Sequence, residues 1–231
     1  MDFTFIHNAI LDVYTQCNIY SFPFDCYKLL SAYKLKCRSY SSQTPINKEK
    51  CFNFSNDAFT IKNVVFYNDT MPAGRIKFTL MHELAHYVLK HVEPFTEAYE
   101  IEANYFASHI LAPRMAIHYS QCKNYINVAK FFNITNEAAQ YAFDDYRRWH
   151  RWTVYHKMKE FDKAVYTHFY SEVAKCFVYN IKRCAYCDAP IYNSVDIACK
   201  NCITLSRSYS HYQHPDEDLL IAEGQWLYGG L

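Results

Sequence analysis

The sequence predicts an α+β fold, on three observations. Short β-branched and aromatic runs, Val64-Val65-Phe66-Tyr67 the clearest, precede a helical pattern at residues 75–91 that contains His82-Glu83-Leu84-Ala85-His86. Two short helical patterns joined by Asn-Ile-Thr-Asn follow within 124–152. Two Cys-x-x-Cys pairs then stand at 184–187 and 199–202. Together these give a small β-sheet with an HExxH helix, a helical region resembling a helix-turn-helix, and a small zinc-ribbon module. The boundaries expected are 1–120, 121–180 and 181–231.

The elements follow in order. A helix is expected from Phe5 to Gln16 and a second around Asp25 to Ala32, leading into the polar turn SSQTPINKEK. Cys51 to Phe54, Ala58 to Ile61 and Asn63 to Tyr67 read as short strands. After the Asn-Asp-Thr-Met-Pro turn, a helix runs from Arg75 to His91, and another from Thr96 is ended by Pro113. In the 124–152 block, Arg147, Arg148, Arg151, Trp149 and Trp152 suggest nucleic acid. Asp144 and Asp145 and the lack of a basic stripe argue against it, so DNA contact is not favoured. Residues 158–181 are aromatic-rich without a readable pattern, and the apolar tail 218–231 is expected to dock on the body.

Composition excludes several classes. The chain has 231 residues, a net charge of +1 and only 4 Gly against 22 Tyr and 17 Phe, which argues for packed aromatic surfaces and against glycine-rich phosphate loops. No global field attracts nucleic acid or a membrane. The first residues lack a basic segment, and no apolar run approaches the roughly 18 residues that span a bilayer, so a cytoplasmic protein without membrane partners is expected. A reducing compartment makes Cys17, Cys26, Cys37, Cys51, Cys122 and Cys176 small apolar core residues, not disulfides. Cys184, Cys187, Cys199 and Cys202 have the spacing of a structural zinc site, with a short hairpin expected between the pairs. His211 and His214 are expected at the surface.

The HExxH segment carries the chemistry. Residues four apart share a helix face, so His82 and His86 can direct two imidazoles at one metal ion, with Glu83 beside them as a base. Phe78, Leu80, Met81, Leu84, Ala85, Val88 and Leu89 would bury this helix, and buried polar groups need partners. A third histidine in the metzincin register would fall at 92, which is Val; His91 is one residue off and is expected to be an exposed helix-end residue. A carboxylate on the following helix is the better third ligand. Glu97, Glu100 and Asn104 fall on one stripe, and Glu102 is rotated about 200° from Glu100. Of Glu100 and Asn104, one would bind the ion and the other would hold a ligand histidine by its second nitrogen. Glu100 is the preferred ligand, with Glu102 and then Glu97 behind it.

The run RIKFTLMHELAHYVLKH followed by EIEANYFASHILAP resembles the ImmA/IrrE family of metallo-endopeptidases, whose members pair a Phe-Thr-x-x-HExxH helix with an E-x-x-A-N-x-F-A-x-x-L-x-x-P helix. Glu100, Ala103, Asn104, Phe106, Ala107, Leu111 or its neighbour, and Pro113 fill the second pattern. Ala85 stands where many members carry Gly, and both are small enough for close helix packing. The resemblance implies a cytoplasmic zinc peptidase, often carried by mobile elements, that cleaves or inactivates a helix-turn-helix repressor. The expected cofactors are one catalytic zinc, held by His82, His86 and Glu100, and one structural zinc on the four cysteines. The competing reading is a non-hydrolytic repressor- or DNA-binding regulator with structural zinc only, although a structural site has no need of Glu83.

Overall fold

The computed structural model describes residues 3–92, 94 and 96–205; His211, His214 and the 218–231 tail lie outside them. Two units separate, one up to Asn180 and one from Ile181.

In the first unit, α1 (Thr4–Gln16) buries Ile6, Ile10, Val13 and Tyr14, an i, i+4, i+7 stripe that faces the core. Its Tyr14 hydroxyl donates to the Ile110 carbonyl at 2.8 Å. The helix α2 (Cys26–Ala32) starts at Asp25, whose carboxylate accepts from the Tyr27 and Lys28 amides. The strands are β1 (Lys36–Ser39), β2 (Ala58–Ile61) and β3 (Val64–Tyr67), in sheet order β1-β3-β2. β1 runs parallel to β3, with Lys36 opposite Val64; β2 runs antiparallel to it, with Ala58 opposite Tyr67. β2 therefore forms one edge of this sheet.

The expected polar turn and the first expected strand are instead a 3-10 turn (Tyr40–Ser42) and a helix, α3 (Pro45–Phe54). Thr44 caps that helix by accepting from the Asn47 amide, and Pro45 occupies its first turn, where a missing N–H costs nothing. Capping chemistry outweighs the aromatic content of Cys51 to Phe54.

The helices α4 (Ala73–Val88) and α5 (Glu97–Leu111) pack together through Leu80, Met81, Leu84 and Ala85 on one side and Ala103, Phe106, Ala107 and Ile110 on the other, all buried. After α6 (Arg114–Tyr119) come α7 (Tyr125–Phe132) and α8 (Asn136–Tyr155), joined through Asn133 in the left-handed region. α8 is longer than the sequence suggests. Trp149 is not a surface aromatic: it is buried and donates to Asp162 on α9 (Glu160–Phe169) at 3.0 Å. Arg114 donates twice to the same carboxylate, at 2.7 and 3.0 Å. Asp162 is fully buried, and these three bonds satisfy a charge that would otherwise be costly. A short pair, β4 (Tyr170–Ser171) with β5 (Cys176–Phe177), ends the unit.

In the second unit, β6 (Ile181–Arg183) pairs antiparallel with β7 (Pro190–Tyr192), and residues 200–205 are helical. The hairpin does not lie between the two cysteine pairs. Its strands flank the first pair, so Cys184 and Cys187 sit at its tip, because Ile191 finds its partner in Lys182.

Gly74 sets how closely α4 approaches the α7–α8 turn. A Cβ there would lie 2.8 Å from the Ile134 carbonyl carbon and the Thr135 amide nitrogen, both backbone atoms that cannot move aside. Helix propensity favours alanine by up to about 1 kcal/mol, while overpacking costs about 1–3 kcal/mol. Gly74→Ala should therefore lower the urea midpoint; an unchanged or raised midpoint would contradict this contact.

Candidate metal centre

Helical phase on α4 stacks His82 and His86 one turn apart, and α5 brings Glu100 opposite them. The two Nε2 atoms are 3.0 Å apart, and the Glu100 carboxylate oxygens lie 3.2 Å from His82 Nε2 and 3.5 Å from His86 Nε2. His82 Nδ1 faces Asn104 Oδ1 at 3.0 Å. An amide oxygen can only accept, so Nδ1 carries the hydrogen and Nε2 presents a lone pair to Glu100. Burial, with His82 and His91 nearby, lowers the His86 pKa to about 4, and the neutral imidazole is the form that binds metal.

These donors fit a zinc ion. Tetrahedral ligands at about 2.0–2.1 Å lie roughly 3.3–3.4 Å from one another, close to the three separations observed. Two nitrogens and a carboxylate would otherwise crowd together without enough hydrogens to join them. Glu97 and Glu102 are not part of this group.

Glu83 is half-buried beside the donors, and Thr60 of β2 donates to its Oε2 at 2.7 Å. Burial pushes its pKa up, aided by Glu100, while the Thr60 hydrogen bond and His82 oppose the rise. A carboxylate whose pKa is raised in this way holds a proton more readily than an exposed one, which suits proton transfer. Both groups line a cleft of about 1180 Å³, walled by Phe59 and Thr60 of β2, Ile101 and Tyr105 of α5, and Glu137 and Tyr141 of α8. One face of α8 thus forms a wall of the cleft.

One expectation is overturned. His91 is not an exposed helix-end residue: its side chain is 2% exposed, 3.0 Å from His86 and 3.0 Å from Glu102. α4 ends at Val88 with Leu89 as its cap, and Lys90 turns the chain at φ 58. The His91 amide then bonds the His86 carbonyl at 3.0 Å and the Lys90 amide bonds that of Tyr87, a Schellman motif that folds His91 back. The usual glycine signal is missing because lysine takes the left-handed position.

The four cysteines also converge, their sulfurs within 4.8 Å of one another. Cys187 and Cys199 are 3.6 Å apart, against about 3.8 Å for thiolates held tetrahedrally at 2.3 Å. The Cys199 amide donates to Cys184 Sγ at 3.2 Å, and with the Tyr186 amide it lowers the Cys184 pKa to about 6. The donor chemistry of both groups suggests zinc.

Residues 32–144 match the family model of the IrrE N-terminal-like domain, a peptidase family. That segment carries the family's domain. The match contains all of β1 to α7, with His82, Glu83, His86, Glu100 and Asn104, and stops before the cysteine unit. No curated protein matches the chain.

Thr60 offers a direct probe of the base. Its hydrogen bond favours ionised Glu83, so Thr60→Val should raise the Glu83 pKa further and move the acid limb of peptidase activity to higher pH. A limb that stays in place or moves down would separate Thr60 from the base.

Proposed function

We propose that the chain is a zinc-dependent endopeptidase acting on a protein substrate in the cytoplasm. The observation that carries this is Glu83, held by Thr60 in an open cleft beside the convergent His82, His86 and Glu100. A bound zinc ion would supply a Lewis acid for the scissile carbonyl and acidify the attacking water. Glu83 takes the proton from that water and delivers it to the leaving amine. Thr60 and burial keep the carboxylate aimed at the cleft between transfers.

The cleft suits a polypeptide. β2 is an edge strand of its sheet, and Phe59 and Thr60 line the cleft, so an extended segment can add along it. The family resemblance supports a helix-turn-helix repressor as the substrate, in the control of a mobile element or a stress response. Two features weigh against DNA as the partner: Trp149 is buried, and Glu137 and Tyr141 at the start of α8 face the cleft. Among the described residues no helix is long and apolar enough to cross a membrane. The cysteine unit is a zinc ribbon in this reading, and its ion is structural.

Glu83→Gln should keep the fold and the metal yet lose hydrolysis of a repressor substrate by several orders of magnitude. Cleavage at a near-normal rate would remove the enzymatic assignment.

The metals separate by mutation. The wild-type chain should hold two zinc ions, His82→Ala one, and Cys184→Ser one with a loosened C-terminal unit, because structural zinc supplies folding energy to a small module. Metal analysis of the purified variants checks the count. Two ions retained in either variant would show that its site is misassigned.

A further inference from the structure

The wall behind His86 carries a second arrangement. After the Schellman turn at Lys90, the imidazole of His91 lies flat against the Tyr99 ring, with centroids 4.3 Å apart and planes inclined by 11°. Its Nδ1 is 3.0 Å from His86 Nδ1, and its Nε2 is 3.0 Å from Glu102 Oε2. Glu102 is turned about 200° around α5 from Glu100, which takes it off the donor stripe and onto His91.

The hydrogens along this chain have one consistent order. An ionised carboxylate only accepts, so His91 Nε2 carries a hydrogen and donates it to Glu102. The neutral His91 ring then has a lone pair at Nδ1, which accepts from His86 Nδ1–H. His86 Nε2 is left as a lone pair directed at Glu100 and His82. Asn104 does the same for His82 from the opposite side, through one amide oxygen.

We propose that His91 and Glu102 are positioning residues that hold His86 in its metal-binding orientation through a carboxylate–imidazole–imidazole chain. This rests on the reading that His86 binds the ion. The two ligand histidines then differ: a neutral amide stands behind His82, whereas a carboxylate stands behind His86 and makes it the stronger donor.

The test is zinc affinity of the full chain, measured by chelator competition and scored on the ion that His86→Ala loses. His91→Ala and Glu102→Ala should each weaken that ion about 10–100-fold, the effect typical of groups that hold a ligand. Glu102→Gln keeps an accepting oxygen and should fall between Glu102→Ala and wild type. The double variant should lose little more than either single one, because both break the same chain. An affinity within about twofold of wild type in folded His91→Ala would overturn the proposal. Should His91→Ala not fold, the Glu102 pair decides, and equal affinities for Glu102→Ala and wild type overturn it. If His86→Ala holds as much zinc as wild type, the metal reading itself fails. That result differs from a chain that binds normally without His91.

Discussion

The packing of α4 on α5 is the contact on which the site depends. Neither helix holds a complete set of donors: α4 supplies two imidazoles and α5 a carboxylate and an amide. The helices must approach closely enough for Glu100 to come within 3.5 Å of both histidines. Ala85, Ala103 and Ala107 are buried at this interface, where longer side chains would hold the helices apart. Gly74 applies the same rule at the start of α4, where the α7–α8 turn comes against the backbone. Small residues set the distances, and the polar residues exploit them.

Three glutamates within twenty residues meet three different environments. Glu83, the proposed base, is half-buried; burial raises its pKa and the Thr60 hydrogen bond opposes the rise. Glu100 is half-exposed and turned to the histidine nitrogens. Glu102, two residues further along α5, faces the other side and meets His91. Helical phase separates Glu100 from Glu102; Glu83 lines the same cleft as Glu100 but comes from α4 and is held by Thr60 of β2.

Much of the site was legible because it rests on periodicity. The i, i+4 spacing of His82 and His86, and of Glu100 and Asn104, specifies shared faces without tertiary information. The α+β class followed from the strand runs ahead of the HExxH helix. What was not legible depends on how chains end and turn. His91 is brought back by a left-handed lysine, where sequence reading looks for glycine. Residues 45–54 form a helix because Thr44 and Pro45 start one, although their aromatic end reads as a strand. Trp149 looks like a nucleic-acid contact until Arg114 and Asp162, distant in sequence, enclose it. The hairpin at the cysteine unit depends on which strand Ile191 pairs with, a choice that spacing alone does not make.

The central claim is that α4 and α5 together build one metal site. Anomalous diffraction at the zinc edge, from crystals of the zinc-loaded chain, tests it most directly. The account predicts a peak within bonding distance of His82 Nε2, His86 Nε2 and a Glu100 oxygen, with Asn104 and His91 behind the two imidazoles. A peak on Glu102 or Glu97 with Glu100 turned to solvent, or none between the histidines, would contradict it.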